Sequence, residues 1–198
     1  FLAVVANATD ILLSRHEKRF RLQKQHVLLG IFFSEAGTEL LRRFIGFDEN
    51  INQLRQTMTF EAEWPEKQFT TLSQILDDYC YDVDSNKGNL DELRDFLKDR
   101  GTILLRLLES PYLLEHESFT ELLRAVFHLR EELLNRKDLD SLPQSDYQHL
   151  SGDIRRAYRL LARHWLEYLR HLKELFPYLF SLAVRMNPFD RNSSPVIK

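Results

Sequence analysis

The sequence predicts an all-α fold: a helical bundle of about five to six helices around a long, Pro-kinked C-terminal helix. Three observations carry this expectation. From Ser151 to Met186 the residues Ile154, Tyr158, Leu161, Trp165, Tyr168, Leu172, Leu175 and Leu179 recur at steps of three or four, which winds them into one apolar stripe. Strand-like alternation occurs nowhere along the chain. The composition is 43% hydrophobic and 29% charged with only six Gly and six Pro, the balance of a globular helical protein rather than a disordered one.

The chain opens with Phe1–Leu13 (FLAVVANATDILL), apolar apart from Asn7, Thr9 and Asp10. A spanning helix needs about 20 apolar residues, so this stretch is too short to cross a bilayer, although it fits the last turns of one. A basic cluster follows at once, with Arg15, Lys18, Arg19, Arg21 and Lys24 against the single acid Glu17. That order is expected where a helix leaves a membrane on the cytoplasmic side, and equally for an amphipathic core helix with a solvated basic end. The lack of an initiator Met leads us to expect a longer parent chain. Residues 1–24 are therefore read as a helix end plus juxtamembrane linker, 25–187 as a helical domain and 188–198 as a flexible tail.

His26–Phe47 is the next helix, with Leu29, Phe33, Ala36, Leu40, Phe44 and Phe47 in its stripe and an extension over Asp48–Met58. Gly30, Ala36 and Gly37 offer little bulk, so a neighbouring backbone can come close. Glu35 and Glu39 are placed to pair with Arg42 or Arg43. Gln68–Val83 reads as a third helix, with Leu72, Ile75, Leu76 and Tyr79 inward. Asn89 with Glu92 forms a capping pair for a fourth, carrying Leu93, Leu97, Leu104 and Leu108. Ser118 with Glu121 caps a fifth, with Leu122, Val126, Leu129 and Leu133 inward. The long helix follows, and Pro177 should kink or restart it near Leu175–Pro177 because it lacks an N–H and crowds the carbonyl four residues earlier. The ending NPFDRNSSPVIK has no periodicity and should fray.

Composition narrows the function. A net charge of −3 argues against nucleic acid as partner, since phosphate binding needs surplus Lys and Arg. Cys80 is the single cysteine, so no intrachain disulfide forms; between two tyrosines, it is expected to be packed. Asp77, Asp78 and Asp82 superficially match the Mg²⁺-binding aspartates of helical prenyl-diphosphate enzymes, but a second acidic cluster is missing. Asp82, Asp84, Asn86 and Gly88 nearly write a calcium loop, yet Gly falls one place late and Leu93 stands where the bidentate Glu belongs. His164, Glu167 and His171 share a helix, but one helix supplies too few metal ligands and an interfacial or surface role is preferred. We expect no enzyme, no cofactor and no metal.

FLAVVANATDIL resembles the segment after the selectivity filter in potassium channels of the two-pore-domain type. LFPYLFSLAVRMNPFD (Leu175–Asp190) and HVLLGIFFSEAGTELLRRF (His26–Phe44) resemble segments of bacterial potassium-channel-like proteins. The resemblance implies a cytoplasmic assembly or gating domain at the inner membrane, homo-oligomeric and attached through its N-terminal segment. It makes Leu2, Val4, Val5, Ile11 and Leu12 the end of a pore-lining helix and Arg15, Lys18, Arg19, Arg21 and Lys24 the membrane-surface contacts. No Thr-x-Gly-Tyr-Gly filter occurs, so potassium would belong to a pore outside this chain. The alternatives are a soluble helical adaptor that docks a partner helix, or a helical Mg²⁺/diphosphate enzyme.

Overall fold

The computed structural model describes residues 26–58, 64–111 and 117–196. The expectations for Leu2, Val4, Val5, Ile11, Leu12, Arg15, Lys18, Arg19, Arg21 and Lys24 lie outside these residues. Among the described residues the fold is all-helical, with no strand and one isolated antiparallel bridge between Asp48 and Val83. No helix there is long and apolar enough to cross a membrane.

The first helix, α1, covers residues 26–45, with a π-helical turn over Phe33–Gly37 leading into Thr38–Ile45. All six residues of its predicted stripe are buried. Both the backbone N–H and the Oγ1–H of Thr38 donate to the Phe33 carbonyl, the latter at 2.9 Å, which holds the wide turn. A Cβ on Gly37 would lie 2.7 Å from the Phe32 and Phe33 rings, so the small residue serves close ring packing. The helix ends at Ile45 with Gly46 as its cap, and the predicted extension is instead a separate helix, α2 (Ile51–Thr57).

Next come α3 (Glu66–Asp78), α4 (Leu90–Asp99) and α5 (Gly101–Leu108). The predicted cap of α4 is present: Asn89 Oδ1 accepts from the Glu92 N–H at 3.0 Å, and Asn89 Nδ2 donates to Glu92 Oε1 at 2.9 Å. The single fourth helix of the sequence reading breaks at Arg100 into α4 and α5. Helix α6 (Glu117–Leu134) already includes Ser118, which is therefore inside the helix and not its cap. Leu122, Val126, Leu129 and Leu133 are fully buried as expected.

Helix α7 (Gln144–Leu175) is the hub. It packs against α1, α3, α6 and the last helix, α8 (Pro177–Arg185). Its core side carries Ile154, Tyr158, Leu161 and Trp165, each at most 1% exposed. Burying side chains of this size contributes about 1.5–3 kcal/mol each before conformational entropy is subtracted. α7 also holds the 79–89 connection: Arg155 Nε donates to the Tyr81 carbonyl at 2.8 Å, and the Ser85 N–H donates to Ser151 Oγ at 2.9 Å. At Phe176 the backbone leaves the helix, and Pro177 opens α8 at its first position, where a missing N–H costs nothing. Among the described residues eight helices result, more than about five to six, because the Gly46 and Arg100 breaks divide runs that read as continuous and the expected restart at Pro177 adds one.

The C-terminal segment is anchored, not frayed, over residues 187–191. Asn187 Nδ2 donates to the Met58 carbonyl at 2.6 Å, the Phe189 ring is 1% exposed against Trp165, and Arg191 Nη2 donates to Asn52 Oδ1 at 3.0 Å. One aromatic in a polar run leaves no periodic signal, so the docking is invisible to a pattern search.

Candidate functional site: an apolar groove between the first and last helices

The turn from α7 into α8 at Phe176–Pro177 separates the end of the long apolar stripe from the core. Leu175 is 52% and Leu179 39% exposed, although the sequence pattern places both inward. With α1 opposite, these helices enclose a cavity of about 640 Å³. Its floor is made by Phe33, Trp165, Tyr168 and Leu172, one wall by Val27, Gly30 and Ile31 of α1, and the other by Leu179, Leu182 and Ala183 of α8 with Met186 just after it.

The floor is rigid for identifiable reasons. Phe33, turned inward by the π-helical segment, stacks on Tyr168 with ring centres 5.0 Å apart and planes 12° from parallel. Arg42 ties the two walls, with Nη1 on Glu39 Oε2 at 2.6 Å and Nη2 donating to the Met186 carbonyl at 3.2 Å. At the α7 end, His171 packs against His26 with ring centres 3.8 Å apart and planes tilted by 30°. Burial, with His26 adding to it, holds the His171 imidazole below its usual range, and burial raises the Tyr168 hydroxyl. A Cβ on Gly30 would meet nothing within 4 Å, so this glycine opens the groove wall instead of admitting a packed backbone.

Chemically, the groove offers apolar surface with a few polar groups at its edge. Its shape and apolar lining suit it to receive an apolar helix face or chain. Val27, Ile31, Phe176, Tyr178 and Leu182 extend the exposed apolar surface around its mouth. Sequence reasoning missed this site because Val27 and Ile31 fall outside the α1 stripe. The usable signal was Pro177, which allows the stripe to leave the core after it.

The sequence candidates are not assembled into a site. Asp77 faces Arg163 at 3.3 Å and Asp82 Oδ2 accepts from Asn50 Nδ2 at 3.2 Å, and the acidic trio forms no ligand group among the described residues. Asp84 Oδ1 accepts from the Asn86 N–H at 3.0 Å and from its Nδ2 at 2.8 Å, so the loop closes on itself. Gly88 there lies beneath the Phe47 ring. His164 Nδ1 pairs with Glu167 Oε2 at 2.8 Å while His171 faces His26, so the three do not converge. Cys80 is exposed, contrary to expectation, because the extended backbone after α3 turns Tyr79 and Tyr81 inward and their neighbour outward.

A family model described as "Uncharacterized protein MJ1433, C-terminal helical domain" matches residues 21–185. The chain is also similar to uncharacterized protein MJ1433 of Methanocaldococcus jannaschii, at 44% identity over 190 residues, covering 96% of this chain and 76% of that protein. No solved structure matches the chain. These findings overturn the potassium-channel resemblance. The matched family is a helical domain that takes in His26–Phe44 and part of Leu175–Asp190, two of the three segments that carried it. The short apolar motifs behind that resemblance are common to buried helices of many kinds.

Proposed function

The chain belongs to the family of the MJ1433 C-terminal helical domain, and from that premise we propose that it is a helical interaction module that assembles with a second copy of itself. The observation that carries this reading is the concentration of exposed apolar side chains at the groove. Val27, Ile31, Leu175, Phe176, Tyr178, Leu179 and Leu182 are each at least 39% exposed and gather where α1, α7 and α8 meet. A contiguous apolar surface of this kind marks an interaction site. Covering such side chains contributes up to about 1.5–3 kcal/mol each, against the entropy of association.

The occupant that fits is Phe1–Leu13 of the second copy. Phe1, Val4, Val5, Ala8, Ile11 and Leu12 recur at successive steps of three or one, the spacing that a helical apolar stripe needs. Thirteen residues at a helical rise would span about 20 Å, enough to lie along a groove walled by short helices. Reciprocal exchange between two chains closes the assembly as a two-fold dimer.

Light scattering after size exclusion tests this on the 198-residue chain, a chain lacking residues 1–13, and Leu182→Asp. The intact chain is expected to be a dimer and both variants monomers. A monomeric intact chain, or a dimer that survives Leu182→Asp, overturns the reading. Flotation with anionic vesicles separates the membrane alternative: vesicle binding by the intact monomeric chain that needs residues 1–13 but tolerates Leu182→Asp assigns the segment to a lipid surface instead.

A further inference from the structure

Helices α6 and α7 each place a histidine and a carboxylate one turn apart on the sides that face each other. On α6 these are His128 and Glu132; on α7 they are His149 and Asp153. The i, i+4 spacing stacks each pair on one helix face, so four potential donors meet at one seam. His128 Nε2 lies 3.4 Å and His149 Nε2 3.2 Å from the same Asp153 oxygen, Oδ2. Glu132 stands beside both rings, with Oε1 3.8 Å from His128 Nε2 and Oε2 3.5 Å from His149 Nε2.

Asp153 makes the cluster more than a surface charge network. Its side chain is 5% exposed, and Oδ2 is buried without a hydrogen-bond partner although two ring nitrogens stand within 3.5 Å. The nearest guanidinium, Arg156, lies 3.8 Å from the other oxygen and is itself 59% exposed. Arg136 is committed elsewhere, to Glu132 Oε2 and Asp146 Oδ1 at 2.7 Å each. A buried carboxylate oxygen left unpaired in this way is costly and calls for a cation.

We propose that His128, His149 and Asp153 bind one transition-metal ion of the zinc class, joining α6 to α7. The one ligand atom offered by each residue lies within 4.8 Å of the others. A tetrahedral ion about 2.0–2.1 Å from each donor holds donors about 3.3 Å apart, which is the spacing that Asp153 Oδ2 keeps with both imidazoles. Two neutral imidazoles and one carboxylate suit Zn²⁺ and its neighbours rather than Mg²⁺ or Ca²⁺, which take oxygen ligands. Glu132, already bonded to Arg136, leaves the fourth position to water. Both histidines are about half exposed, so an ion can enter from solvent. None of these residues lines the groove, so the site stands apart from the proposed assembly surface.

The test uses the full chain without an affinity tag, stripped with chelator and titrated with Zn²⁺ by calorimetry and with Co²⁺ by visible absorption. One ion per chain is expected, with the intense Co²⁺ bands of a four-coordinate site and a thermal transition raised by Zn²⁺. His128→Ala and His149→Ala change half-exposed residues, so they are compatible with folding. Each should weaken Zn²⁺ by about 100-fold and abolish the Co²⁺ bands, while Cys80→Ser, which removes an exposed thiol outside the cluster, leaves both unchanged. Binding that survives His149→Ala, that is lost in Cys80→Ser, or that has no fixed stoichiometry overturns the assignment.

Discussion

Glycine substitutions at two positions test the packing with opposite expected signs. Gly88 lies beneath the Phe47 ring: a Cβ there would sit 2.4 Å from Cδ1 and Cε1 and 2.6 Å from Cζ. Carbon atoms pack at about 3.5–4.0 Å, so the ring would have to retreat by more than 1 Å. Phe47 is only 2% exposed, so its ring would have to move against the interior of the fold. Gly88→Ala is therefore an overpacking change that costs about 1–3 kcal/mol, lowering the melting temperature by about 2–4 °C per kcal/mol in a domain of this size. Gly152 lies inside α7, and a Cβ there meets nothing within 4 Å. Gly152→Ala gains about 0.8–1 kcal/mol of helix propensity with no steric charge against it. Urea unfolding followed by circular dichroism, with equal slopes for all three proteins, gives both differences. A neutral Gly88→Ala would mean that the Phe47–Gly88 contact does not constrain the fold, and a destabilising Gly152→Ala would mean that the outer face of α7 is covered. Either result refutes the packing reasoning.

Two further outcomes follow from the core and the groove. Phe189→Ala empties a fully buried ring site against Trp165 and should cost about 3–5 kcal/mol, with the C-terminal segment becoming sensitive to limited proteolysis. His171 should make stability fall with acid. Its folded-state imidazole titrates below the ordinary 6.5, chiefly through burial and then through His26, with Glu174 opposing them, so the unfolded chain takes up the proton first. The contribution is complete above pH 6.5 and is lost as pH falls from there toward the folded value. Melting temperatures between pH 8 and 5 should decline less steeply in His171→Phe than in the parent chain, and identical slopes would remove His171 from the account.

The helical class and most inward-facing positions are readable in the sequence because a period near 3.6 is a local property. Leu29, Phe33, Leu40 and Phe44 of α1, and Leu122, Val126, Leu129 and Leu133 of α6, are buried where the spacing places them. The Asn89–Glu92 cap is legible for the same reason, since both partners lie within one turn. Breaks were harder to read. At Arg100 the chain ends one helix and begins another at Gly101, where a Cβ would meet the Arg130 guanidinium at 2.7 Å, so that single glycine was the local signal of a break inside an otherwise continuous leucine stripe. The metal-type seam was missed because its two i, i+4 pairs, His128–Glu132 and His149–Asp153, are each unremarkable alone. Only the packing of α6 on α7 brings them together. The groove depends likewise on a change of helix direction at Phe176, which a periodic stripe running through Leu175 and Leu179 conceals.

The central place of α7 has a consequence for how the molecule opens. Because α1, α3, α6 and α8 all rest on it, its inner backbone amides become accessible to solvent only when the whole assembly comes apart. Their deuterium uptake should therefore report the global unfolding free energy. α8 buries only Phe180 and can peel away at far lower cost, so its amides exchange early. The protein thus combines a slow centre with a fast edge, and the fast edge forms one wall of the groove.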